Sequence, residues 1–153
     1  EEEIFKKQMD IAMEKSMLMT IHLPHNNKPE GMKRIERILK GDNEYNRQKI
    51  LVDHNVEETI EKTLELGMWA GLSVYPLTKL SPERAMKIIK KHGTERIMIH
   101  SAADWGISDP LSVPLVAREM RKSGEFTAQD IENVTMYNSY EFFRQSPRFT
   151  WRP

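Results

Sequence analysis

Apolar residues along this chain follow two alternating spacings, and the alternation predicts a fold class. Short apolar runs of the kind found in buried strands occur at 17–21, 49–52, 68–74 and 96–101. The segments between them carry apolar residues three or four positions apart, which is the spacing of amphipathic helices. Because these segments are too long for hairpins, the order predicts parallel strands joined by helical crossovers in an α/β fold.

The predicted helices have recognisable ends. Ser81-Pro82-Glu83 supplies a capping hydroxyl, a proline for the first turn and an acid near the positive helix end. Thr127 and Asp130 have the spacing of a capping box. Helices are predicted over residues 2–15, 30–39, 56–66, 82–92, 113–122 and 128–134.

Four strands with crossovers fit either a small open sheet or part of a (β/α)8 barrel. A complete barrel needs about 250 residues, and this chain has 153. Residues 1–153 are therefore expected to form a single domain, either a small open sheet or about half of a barrel; the resemblance described below implies the C-terminal half. A half barrel leaves unpaired backbone groups at its first and last strands and an apolar inner face open to solvent. The expected partner is the missing half barrel or a second copy of the chain.

Composition removes several function classes. Lys and Arg number 23 and so do Asp and Glu, so the net charge is zero and offers no general attraction to nucleic acid or anionic membranes. The chain lacks cysteine, which excludes disulfides and zinc–thiolate sites. No apolar run has the length of a membrane span, and the acidic start is unlike a signal peptide. A cytoplasmic protein is expected, and the helical pattern already under way at the start predicts a fragment of a longer sequence.

Three of the apolar runs lead into a histidine or an aspartate: the first into His22, the second through Asp53 into His54, and the fourth into Asp104. Histidine and carboxylate are common ligands of divalent metals. The carboxyl ends of barrel strands meet at the active site. We therefore predict that His22, His54 and Asp104 bind a divalent ion, either Zn, Mn, Fe or Mg, and that Asp104 binds the metal or activates water.

Each of these residues also has a plain structural interpretation. His22 fits a buried or capping histidine, and Asp104 fits an exposed acid in a turn. Asp53 and Asn55 flank His54 and are natural N-caps for the following helix. His100 has no supporting pattern.

Three further side chains are candidates for contact with a substrate. Lys79 follows the third strand and is placed either to bind an anionic group or to lie on the surface. His25 lies among polar loop residues, where a surface histidine is the alternative. Trp105 directly follows Asp104 and is placed to form one wall of the site.

At these positions the chain resembles the TatD-like branch of the amidohydrolase-type, metal-dependent hydrolases. Ile21-His22-Leu23-Pro24 resembles the end of that family's fifth strand, and Val52-Asp53-His54-Asn55 the end of its sixth. Residues 67–73 resemble its seventh strand, and residues 101–106, with Asp104, the end of its eighth. Asn138 with Phe142-Phe143 resembles the final helix. The resemblance, over residues 17–143, implies strands five to eight of a TIM barrel and hydrolysis of a phosphoester or amide-like bond, the phosphoester first.

The resemblance also implies ligands that this chain lacks. The family carries a His-x-His pair on its first strand and a glutamate near its fourth, and neither has a counterpart here. The metal site is therefore expected to be incomplete in this chain. Nucleic acid enters as a candidate substrate, besides small phosphoesters, through the resemblance alone. Two other hypotheses remain: a non-catalytic half-barrel subunit that docks on a complementary partner, and a small α/β binding module with structural histidines.

Overall fold

The computed structural model describes residues 2–41, 45–74, 79–102 and 109–152. Its strands are β1 (Met19–His22), β2 (Ile50–Asp53), β3 (Trp69–Ser73) and β4 (Ile97–His100). Its helices are α1 (Glu2–Glu14), α2 (Lys28–Lys40), α3 (Ile60–Glu65), α4 (Pro82–His92), α5 (Ser112–Ser123), α6 (Ala128–Glu132) and α7 (Asn138–Phe143). A 3-10 turn (Arg47–Lys49) precedes β2.

The four strands form one parallel sheet in the order β1-β2-β3-β4. Each strand is joined to the next by a helix, as in the repeating unit of a (β/α) barrel. The predicted α/β class, with about four parallel strands and helical crossovers, is confirmed, and its architecture matches part of a TIM barrel.

Local capping explains where several helices begin. Ser81 accepts a hydrogen bond from the backbone N–H of Arg84, with Pro82 in the first turn of α4. Thr127 and Asp130 form the reciprocal capping box of α6. The predicted start of α3 at residue 56 is wrong. The helix begins at Ile60, because residues 56–59 form a turn in which Thr59 Oγ1 accepts from the N–H of residue 56.

The C-terminal helix is longer than predicted. A five-residue π-helical segment (Asn133–Tyr137) joins α6 to α7, so helical structure continues to Phe143. Asn138, at the start of α7, donates to the carbonyls of Thr94 and Ile97 at 2.6 Å each. These two bonds attach the last helix to the start of β4 and satisfy backbone groups there.

The face of the sheet that carries the crossover helices holds most of the core. Alternate strand residues point to that face, including Ile21, Val52, Leu72 and Ile99, all buried. Two clusters form there: one joins β1 and β2 to α1 and α2, and the other joins β3 and β4 to α4, α5 and α6. Their burial positions the strand ends described below.

The half-barrel hypothesis predicted that the opposite face of the sheet would be open to solvent. The structure shows instead that part of this face is covered. Leu51, Trp69 and Met98 lie on that face with 8% or less of their surface exposed. Phe142 of α7 is fully buried against them, with its ring 5.9 Å from that of Trp69. The chain therefore covers the amino-terminal half of this face with its own last helix.

Within the described ranges, no helix combines the length and apolar character that a membrane span requires.

Candidate functional site

Polar side chains occupy the carboxyl ends of all four strands, on the half of the Trp69 face that Phe142 does not cover. Successive residues of a strand point to opposite faces, so His22, Asp53, Ser73 and His100 share the face that carries Leu51 and Met98 two positions before Asp53 and His100. The parallel register pairs His22 with Asp53 and Ser73 with His100. The four strand ends therefore form one polar rim.

His54 joins this rim although it follows the last residue of β2. Its φ of 62° is left-handed and ends the strand, a conformation that costs a non-glycine residue about 1–2 kcal/mol. Its backbone N–H donates to Asp53 Oδ1 at 2.6 Å, which supports this turn. The buried ring then lies with Nε2 2.9 Å from His22 Nδ1, while Nδ1 contacts Ser73 Oγ. The turn thus brings the ends of β1, β2 and β3 into contact through the His54 ring.

Burial also sets the protonation of His54. Desolvation lowers the pKa of its imidazole to about 4, and the nearby Lys79, His22 and His100 act in the same direction, while the Asp53 carboxylate opposes them. The ring is therefore neutral at pH 7 and keeps a lone pair, which is the form that binds a metal ion.

Asp53 lies at the centre of the rim. Its Oδ1 accepts a hydrogen bond from His100 Nε2 at 2.5 Å. Burial alone would raise the pKa of the carboxyl, but the bond from His100 and the charges of His100 and His54 lower it to about 2. Asp53 is therefore ionised at neutral pH and holds His100 in a fixed orientation.

Gly71 makes room for the Asp53–His100 contact. A Cβ at this position would lie 2.7 Å from Asp53 Oδ1 and 3.2 Å from His100 Nε2, both too close. A larger residue in the middle of β3 would push the carboxylate and the imidazole apart. The presence of glycine at position 71, in the middle of β3, is thus explained by this close approach across the strand.

The two predicted histidine ligands have the spacing of a shared metal ion. Two nitrogens bound to one ion at about 2.0–2.1 Å lie roughly 2.9–3.4 Å apart at ordinary bond angles. The observed 2.9 Å between His22 Nδ1 and His54 Nε2 fits that range. The described part of the chain contains no group of three His, Asp or Glu side chains arranged to hold a metal. Asp104 and Trp105 lie outside the described residues.

Lys79 and His25 lie beside His54. The Lys79 ammonium is 3.0 Å from Nδ1 and 3.3 Å from Nε2 of that ring. Exposed His25 lines the same small pocket, which has a volume of about 60 Å³. Lys28, at the start of α2, also lines it. Lys28 was not predicted from the sequence, because a lysine in the first turn of a helix carries no distinguishing pattern.

Asp53 and His100 belong to the rim, although the sequence pattern predicted only a helix-cap role for Asp53 and no role for His100. The signal was present, because both residues end an apolar run, as His22 does. Only the strand register shows that the side chains of Asp53 and His100 meet across Gly71.

The parallel sheet with helical crossovers is similar in fold to a solved TatD-like protein. Against a TatD-like protein of Archaeoglobus fulgidus, the structural match covers 93% of this chain and 53% of that one, with a TM-score of 0.71 and 23% identity.

The sequence is also similar to a metal-dependent hydrolase. Over 146 residues it is 30% identical to an uncharacterised metal-dependent hydrolase of Methanocaldococcus jannaschii, a match that covers 94% of this chain. This chain spans only about half of that relative, 56% of its length. A scan against protein-family models finds no match. The predicted resemblance to TatD-like metal-dependent hydrolases is confirmed by the sequence relative and the structural neighbour together.

Proposed function

We propose that this chain contributes the C-terminal half of the active site of a divalent-metal-dependent hydrolase that acts on a phosphoester. The observation that carries the proposal is the 2.9 Å approach of His22 Nδ1 to His54 Nε2 across two strand ends. A buried imidazole held neutral beside a second imidazole is a chemically suitable ion site. Similarity to the metal-dependent hydrolase from M. jannaschii supports metal-dependent hydrolysis, and the phosphoester comes from the family resemblance.

The residues of the rim have different proposed roles. His22 and His54 would hold the ion, either Zn, Mn, Fe or Mg, which would supply a water of lowered pKa and polarise the substrate. Asp104 would bind the ion or accept a proton from the attacking water. The Asp53–His100 pair holds the rim in register, and its carboxylate supports the turn that carries His54. Lys79, His25 and Trp105 would contact the substrate.

The proposed metal site is incomplete within this chain. Two imidazoles leave most positions around an ion for other ligands. We propose that residues 1–153 form one domain and that the remaining ligands come from another polypeptide segment, either upstream in the same protein or in another subunit. Nucleic acid is a candidate substrate on resemblance alone.

Replacing Asp104 with asparagine tests its proposed role. In the full-length protein, Asp104→Asn should lower phosphoesterase activity by about 100-fold or more, because loss of a general acid–base group typically costs that much. The measurement is hydrolysis of p-nitrophenyl phosphate and bis(p-nitrophenyl) phosphate with Zn²⁺ or Mn²⁺. Asp109→Asn is the matched control, since Asp109 Oδ1 accepts from the backbone N–H of Leu111 in a turn. Equal activity of Asp104→Asn and the unmodified protein would exclude the assigned role.

A second candidate function is a non-catalytic half-barrel subunit that docks on a complementary partner. It is favoured by apolar side chains exposed near the β1 end of the sheet: Ile4 is 65% exposed, Ile11 55% and Met17 52%. Ile4 and Ile11 lie on the exposed side of α1. β1 and β4 are also sheet edges, and open edges favour pairing with another chain.

Light scattering distinguishes this candidate from a self-sufficient domain. If the chain docks on itself, its solution mass should exceed that of one 18.0 kDa chain. The Ile11→Glu variant should then shift the mass toward the monomer, because a buried charge opposes an apolar interface. Lys7→Glu, on the same helix, is the control for a change of charge. A stable monomer that binds no partner would remove the docking hypothesis.

A further inference from the structure

The pocket beside His54 carries more positive charge than the proposed metal chemistry uses. Lys28 from α2 and Lys79 from the segment before α4 both line it. Within the described residues, neither lysine forms an ion pair with a carboxylate. Unpaired cations that share a half-buried pocket are a common arrangement for binding an anion.

The two ammonium groups are close enough to affect each other. Burial lowers the pKa of Lys28, the charge of Lys79 lowers it further, and Asp53 partly opposes both effects. An anion placed between the lysines would relieve their repulsion and replace their lost hydration. The pocket therefore gains more from binding an anion than two separate surface lysines would.

Among the residues that the structure describes, the other charged side chains around the pocket already have partners of opposite charge. Arg84 lines the pocket, but its guanidinium donates to both oxygens of Glu57, at 2.9 and 2.6 Å. The Asp53 carboxylate is bound by His100 and by the N–H of His54. Within the described part of the chain, the two lysines are therefore the side chains at this pocket that have no carboxylate partner.

The size of the pocket limits the ligand. Its volume of about 60 Å³ is several times the roughly 10–15 Å³ that one water requires. That space suits a small tetrahedral group and leaves the rest of a larger molecule outside. A terminal phosphate carries about −1.5 to −2 charges at pH 7, whereas a phosphodiester carries one.

We infer that Lys28 and Lys79 form a subsite for a dianionic phosphate, which makes phosphomonoesters the preferred substrate class over phosphodiesters. The preference among substrates rests on the proposed phosphoester hydrolysis. The binding of a phosphate anion does not depend on that hydrolysis. The lysines bind and orient the phosphoryl group beside His54.

Anion binding to the metal-free full-length protein tests the inference. Isothermal titration calorimetry at pH 8, in the presence of a chelator, measures the affinity for inorganic phosphate and for dimethyl phosphate, a monoanion. Phosphate should bind at least tenfold more tightly. Lys28→Gln and Lys79→Gln should each weaken phosphate binding by about tenfold or more, since each removes a charge-assisted hydrogen bond. Lys33→Gln, an exposed lysine of the same helix, should bind phosphate as the unmodified protein does.

The possible outcomes separate this inference from the proposed function. Equal binding of phosphate and dimethyl phosphate, or unchanged phosphate binding in Lys28→Gln and Lys79→Gln, would overturn it even if the protein hydrolyses phosphoesters. The subsite would be supported if the unmodified protein binds phosphate selectively and the folded Lys28→Gln or Lys79→Gln variant does not. This support would hold even if no hydrolysis is found. With the metal restored, a faster reaction with p-nitrophenyl phosphate than with the diester is the further expected result.

Discussion

Replacing His22 and His54 together with asparagine should reduce divalent-metal affinity by more than 100-fold. Loss of a residue that only orients a ligand costs about 10–100-fold in metal affinity, and this variant removes two proposed ligands at once. Asparagine keeps part of the hydrogen-bonding capacity of each ring, so contacts such as that of His54 with Ser73 are partly replaced. The measurements are metal content after purification and titration of the chelated protein with Zn²⁺ and Mn²⁺.

The control for this experiment is His92→Asn. His92 lies at the far end of α4 from the segment that carries Lys79, so its replacement should leave metal affinity unchanged. Circular dichroism of the double variant checks that the fold is retained. Unchanged metal content in a folded His22→Asn, His54→Asn protein would favour the remaining hypothesis, a small α/β binding module whose histidines are structural.

Replacing Asn55 with alanine should destabilise the fold by about 2–4 kcal/mol. The Asn55 side chain is 1% exposed and donates to the Val52 carbonyl at 2.8 Å. It also accepts from the hydroxyls of Thr59 and Thr63 at 2.9 Å each. Alanine leaves the carbonyl without this donor, and buried groups without partners cost more than the lost bond itself. The hydroxyls keep weaker contacts with nearby carbonyls, which limits the loss.

Thermal unfolding measures this loss. The midpoint for Asn55→Ala should fall by roughly 5–15 °C, given about 2–4 °C per kcal/mol for a domain of this size. Asn26→Ala is the matched control, because Asn26 is exposed and such substitutions usually change stability by less than about 0.5 kcal/mol. An equal midpoint for Asn55→Ala and Asn26→Ala would show that this network does not hold the β2 end to α3.

The interpretation of Asn55 as a helix cap shows where local patterns fall short. A cap and a buried network use the same residue type, since both need a short side chain with a donor and an acceptor. The left-handed turn at His54 moves the start of α3 four residues downstream and turns Asn55 inward. Such a turn depends on the Asp53 carboxylate and on the burial around it, which a local pattern does not contain.

The sequence by itself determined the class of the fold and placed His22 and His54 at the ends of neighbouring strands. Apolar runs of strand length, separated by amphipathic helices, allow few arrangements besides a parallel sheet with crossovers. His22 and His54 were found because strand ends in such a sheet lie at one edge. These properties depend on local spacing, and local spacing is written directly in the order of residues.

Only the tertiary structure decided which side chains meet at that edge. The Asp53–His100 contact depends on strand register and on the missing side chain at Gly71. The lysine pair joins residues from α2 and from the segment before α4, which lie about fifty positions apart in the chain. The cover that Phe142 provides comes from the last helix. Contacts of this kind follow from packing between distant segments, which the local pattern of apolar and polar residues does not specify.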